Sequence, residues 1–115
     1  MTTETMTGSS QLTAASALLA ILTAHTDLPA PQVDLRPTYV PSIGAVAWGL
    51  HLTVHDDLGV FEQWRSALDL DPAAVDHKHN LAGYLAWLTV TGMAFGVPVA
   101  LVGFYNLPEP ADTWA

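Results

Sequence analysis

Apolar and polar positions alternate most clearly from Ala45 to His55. Val46, Trp48, Leu50, Leu52 and Val54 share one face, and Ala45, Ala47, Gly49, His51, Thr53 and His55 share the other. This predicts a strand with a core face and a mild, nearly flat outer face. Upstream, Ser10 can cap a helix through Gln11 to about Thr26, with Leu12, Ala15, Leu18, Leu19 and Leu22 on one side at helical spacing. Its back face holds Thr13, Ala17, Ala20 and Ala24, small residues that suit either a bland surface or close packing, and no charge stands between Glu4 and Asp27. Pro29 and Pro31 end this helix. Val33 to Val40 reads as a strand at a sheet edge, because Pro37 has no amide to donate to a ladder. Pro41, Ser42 and Gly44 mark the turn that follows.

Asp56-Asp57 predicts a second helix start, one carboxylate capping free amides and both favoured by the helix dipole. That helix runs to about Leu68 and buries Val60, Phe61, Trp64 and Leu68, with Glu62 and Arg65 on its solvent side. Asp71-Pro72 suits a short helical turn through Val75, and the polar stretch Asp76 to Asn80 reads as a linker. Leu85 to Phe95 and Val97 to Tyr105 then form a strand pair around Gly96. The expected fold is α+β: a four-stranded antiparallel sheet with two helices packed on one face, in the order α-β-β-α-β-β. Residues 1–9 read as a disordered tail, 10–106 as a single α+β domain and 107–115 as an irregular C-terminal tail.

The last strand pair is apolar on both faces. Val97, Val99, Leu101 and Tyr105 alternate with Pro98, Ala100, Val102 and Phe104; the partner strand sets Leu85, Trp87, Met93 and Phe95, with Thr89 and Thr91 between them, against Ala86, Leu88, Val90 and Ala94. An antiparallel sheet covered on one side alternates apolar with polar, so two apolar faces imply cover on both. Either the C-terminal tail, with Leu107 and Trp114, folds back over the second face, or a second subunit or partner packs there. The stretch from His51 to Leu68, with His-Asp-Asp-Leu followed by Phe-Glu-x-Trp-Arg-x-Ala-Leu, resembles small proteins of actinomycete genomes and their mobile elements. Thr91 to Gly103 is similar to their C-terminal hairpin, with apolar Leu88 and Met93 as departures. The resemblance implies no established activity and transfers no functional residue; it implies an accessory protein of the cytoplasm.

Composition narrows the function classes. The 115 residues suit one hydrophobic core; half are apolar and 12% are charged, about half the usual charged share. Arg36, Arg65 and Lys78 face eleven acidic residues, for a net charge of −8. With no basic stripe to replace counterions, direct nucleic-acid binding is disfavoured, and so is an anionic membrane surface. No apolar run reaches the roughly 18 residues that would span a bilayer. Cysteine is absent, which removes disulfides, zinc ribbons and thiol catalysis and fits a reducing cytoplasm.

The candidate chemistry is thin. His77 and His79 are two apart and, in an extended chain, would point to one side and could share a metal, but no third ligand follows. His51 and His55 lie about 13 Å apart along a strand, too far for one ion. Asp56 and Asp57 point in different directions as neighbours at a helix start, unlike paired catalytic acids. Ser42 and Ser66 lack a nucleophile-elbow setting, and Gly92, Gly96 and Gly103 lie in strands and turns rather than in a phosphate cradle. No catalytic residue, cofactor or metal is assigned. The expected function is a non-enzymatic protein-interaction domain, homodimeric, an accessory or regulatory factor of a mobile element. Trp87, Thr89, Thr91 and Phe95, with His51 and Thr53 on the neighbouring strand, form its expected contact surface. The alternative is a small-molecule-binding domain or enzyme with a pocket between helices and sheet.

Overall fold

The computed structural model describes residues 8–55, 57–80 and 85–106. Helix α1 (Gly8–Ala24) leads into β1 (Gln32–Val40) and β2 (Ala45–His55), then α2 (Leu58–Ala67), a single 3-10 turn (Pro72–Ala74), β3 (Asp76–His79), β4 (Leu85–Ala94) and β5 (Val97–Asn106). The class is α+β with two α-helices, but the sheet differs from expectation. It has five strands in the order β1-β2-β5-β4-β3, and one pair, β2 with β5, is parallel.

The extra strand is the physical reason for the difference. Asp76 to His79, expected as a linker, pairs antiparallel with β4, from Asp76 opposite Thr89 to His79 opposite Ala86. All four of its residues are exposed, so no apolar alternation betrays it; charged side chains on an edge also discourage pairing with other chains. α2 and the 3-10 turn connect β2 to this far edge, the kind of crossover that parallel strands require. β3, β4 and β5 then meander back, and β5 arrives beside β2 running the same way. With only four strands the pairing could have stayed antiparallel throughout. β1 lies at the other edge, where the missing amide of Pro37 is tolerated.

Local chemistry explains the second helix. Asp57 Oδ1 accepts from the amides of Gly59 at 2.8 Å and Val60 at 3.3 Å, which makes Asp57 the cap; Asp56 lies outside the described residues. Glu62 and Arg65 pair on its outer side, and Arg65 Nη1 also donates to the Leu70 carbonyl at 2.6 Å, holding the exit of the helix. Asp71 caps the 3-10 turn through the Ala73 amide at 2.9 Å.

Both helices pack on one face of the sheet, where Ala14, Ala17 and Ile21 of α1 and Phe61 and Trp64 of α2 cluster with Leu50, Leu52, Val54, Val90, Val99 and Leu101. Trp64 lies between the helices; its Nε1 donates to the Pro29 carbonyl at 2.8 Å, and its ring meets His25 edge-on at 6.0 Å. Gly103 leaves room for Phe61, since a Cβ there would stand 2.8 Å from the ring. The side of α1 that meets the sheet lies between the two expected ones: Ala14, Ala17 and Ile21 are buried, and of the expected leucine face only Leu18 packs against the core. Ala14 and Ala17 let the helix approach closely, while Leu12, Leu19 and Leu22 remain exposed.

Candidate functional site

The face of the sheet turned away from the helices is covered by no described element. Register aligns its side chains in rows across the strands. In one row His55 of β2 stands beside Phe104 of β5, then Trp87 of β4 and Lys78 of β3. His55 and Phe104 stack at 5.6 Å with 17° between their planes, and Phe104 meets Trp87 at 6.1 Å. The next row centres on Val102, between Thr53 and Thr89. A third sets His51 and Thr91 on either side of Ala100. The middle of the face is therefore aromatic, β-branched or small. Near the paired hairpin tips it deepens into a groove of about 520 Å³ bordered by Thr38, Val40, Met93 and Pro98.

Among the described residues, charge on this face sits only at the two edges. On β1 Arg36 pairs with Asp34 at 3.3 Å, and on β3 Lys78 pairs with Asp76 at 3.8 Å. Two of the three basic residues of the chain are thus spent on this face, which is locally neutral in a protein of net charge −8. His51, opposite Asp34, is half-buried, and its Nδ1 makes no hydrogen bond among the described residues. Burial and the neighbouring Arg36 guanidinium hold its imidazole below the usual histidine range, against the smaller opposing pull of Asp34.

Five of the six expected contact residues lie on this face: Trp87, Thr89, Thr91, His51 and Thr53. His51 and Thr53 are not on a strand adjacent to β4, however, because β5 runs between and contributes Ala100, Val102 and Phe104. Phe95 is not on the face at all. It is the first residue of the two-residue β4–β5 turn, at φ 52. His55 and Phe104 were missed as a pair, since only the parallel β2–β5 register makes them neighbours. Leu107 and Trp114, the expected covering tail, lie outside the described residues.

The histidines do not converge. His77 and His79 pair with Leu88 and Ala86 and so share the helix-facing side of the sheet, whereas His51 and His55 point the other way. His77 Nε2 lies 2.6 Å from the Tyr105 hydroxyl, and the two rings stack at 6.0 Å. Among the described residues no three His, Cys, Asp or Glu side chains gather as a metal site, and no polar or charged residue is fully buried between helices and sheet. No described helix is long and apolar enough to cross a membrane. No family model, no curated protein and no solved structure matches the chain.

Proposed function

We propose that this chain is a non-enzymatic protein-interaction domain that binds another protein through the helix-free face of its sheet. The observation that supports the reading is the charge layout of that face. An acidic chain with three basic residues places two of them there, each beside a carboxylate, around an apolar middle. Apolar centres with a polar rim are the usual anatomy of interfaces, and rim charges of both signs orient a partner and reject wrong ones. Half-buried Trp87 and Phe104 are the anchors of the contact, since aromatic side chains dominate interface energies. An accessory role in a mobile element belongs to the proposal on the strength of the resemblance alone.

A photo-activated cross-linker at exposed Thr91, used in the native host, tests the reading. The expected result is capture of a discrete protein whose yield falls several-fold when Trp87→Ala is added. Capture that ignores Trp87→Ala would sink it. Capture of the chain by itself would identify the occupant of this face as a second copy.

A further inference from the structure

α1 turns three of its leucines outward. Its sheet side is made of Ala14, Ala17 and Ile21 with half-buried Leu18, whereas Leu12, Leu19 and Leu22 are 63%, 68% and 39% exposed. With Ala15 between them, these positions follow the alternating three- and four-residue spacing that seats one helix against another. A helix whose only task was to cover the sheet would be patterned the other way, because an outward leucine gains nothing from burial.

The β4–β5 hairpin tip supplies a second observation. Phe95 and Gly96 have φ of 52° and 80°, and positive φ at both central residues marks a turn that favours asparagine, aspartate or glycine. A phenylalanine there is strained. Its ring is nonetheless 61% exposed, and it borders a shallow groove beside Leu12, Thr13, Ser16 and Ala20 of α1. A strained backbone holding an aromatic ring in water beside Leu12, the first residue of the stripe, is arranged for contact with another chain.

Charge identifies the occupant, and area its strength. The chain has a net charge of −8, yet α1 contains no charged residue. Two acidic copies repel except where both surfaces are neutral, whereas a basic partner would be drawn to the acidic surface instead. A helix of 17 residues is about 25 Å long. Pairing two of them, with a ring at each end, buries on the order of 500 Å² per copy, less than the roughly 800 Å² of a standard stable interface. An interface of that size holds a reversible association.

We infer that α1 is the seam of a reversible homodimer, in which two α1 helices lie antiparallel across a two-fold axis. Leu12 of one copy then meets Leu22 of the other, Ala15 meets Leu19, and Phe95 closes each end. The seam is independent of the helix-free sheet face, so each copy keeps that face for its partner.

Sedimentation equilibrium over a wide concentration range tests this. The wild-type mass is expected to rise toward twice the monomer, Leu19→Glu to remain monomeric with an unchanged circular dichroism spectrum, and Thr91→Arg on the sheet face to follow the wild type. Phe95→Asn should weaken association several-fold while raising the thermal midpoint, a combination that a purely structural Phe95 does not produce. The chain has no cysteine, so Ala15→Cys and Leu19→Cys chains can be mixed and oxidised; the mixed disulfide is expected to exceed either self-pair. A wild type that stays monomeric at the highest concentration, a Leu19→Glu mass curve like the wild type, or absence of the mixed-disulfide preference overturns the proposal. Loss of association in Thr91→Arg would move the seam to the sheet and overturn it as well.

Discussion

His51 shows how one side chain can make stability depend on pH. Its imidazole is half-buried between β1 and β5, and burial together with Arg36 keeps it below the ordinary histidine range in the folded state. The unfolded chain, where that restraint is absent, binds the proton more readily, so stability rises with pH across this window. The contribution is fully present above the ordinary imidazole range and is lost as pH falls through the unfolded and then the folded value. Thermal midpoints should therefore decline on acidification from neutral pH, and His51→Gln should flatten that part of the curve. Glu62 acts separately and at lower pH. Its hydrogen bond to Arg65 holds the carboxyl below its usual range, so whatever it contributes is present above that range and lost on further acidification. The other described histidines sit differently: His77 is engaged by Tyr105, and His55 lies against Phe104.

The two helices differ in how far their sequences announce them. α2 is legible throughout: Asp57 caps it, Phe61, Trp64 and Leu68 line one face, and Arg65 stands near its end. Asp57→Ala should cost about 1 kcal/mol, read as a lower urea midpoint with an unchanged slope. α1 has two apolar sides and no charge to separate them, so periodicity finds the helix but not its inner face. The structure seats Ala14, Ala17 and Ile21 on the sheet, with Leu18 at their margin. Ala17→Leu should therefore overpack the helix–sheet layer and cost about 1–3 kcal/mol. Leu19→Ala, measured in dilute protein, should change stability by less than about 0.5 kcal/mol. An amphipathic helix buried on its leucine side would give the opposite ranking.

At the scale of the whole molecule, stability should follow strand position. β5 is central and β2 and β4 flank it, each of the three paired on both sides, while β1 and β3 are edges. Hydrogen exchange is expected to be slowest over Leu50 to Val54 and Val99 to Gly103, and fastest over Asp76 to His79, whose four residues are all exposed. Uniform protection across the five strands would contradict this order. The same centrality makes the helix-free face a firm platform, because its middle row rests on the best-held strands while its charged pairs sit on the edges.

Local chemistry was sufficient for much of this protein. Alternation from Ala45 to His55, the Asp57 cap, the Asp71-Pro72 turn, the edge position of a strand containing Pro37 and the two apolar faces of the last hairpin are all short-range features, and short-range sterics and hydrogen bonding decide them. What required the tertiary structure was every choice between two locally acceptable answers. α1 could bury more than one apolar side, and close approach to the sheet selected the one of Ala14, Ala17 and Ile21. Asp76 to His79 could be linker or strand, and the free edge of β4 made it a strand. That strand changed the parity of the sheet and brought β5 beside β2 in parallel. Phe95 moved from the face to the turn because Ala94 and Val97 pair directly and leave only two residues to reverse the chain. Partners far apart in sequence decide such choices, and the pattern along one segment carries no record of them.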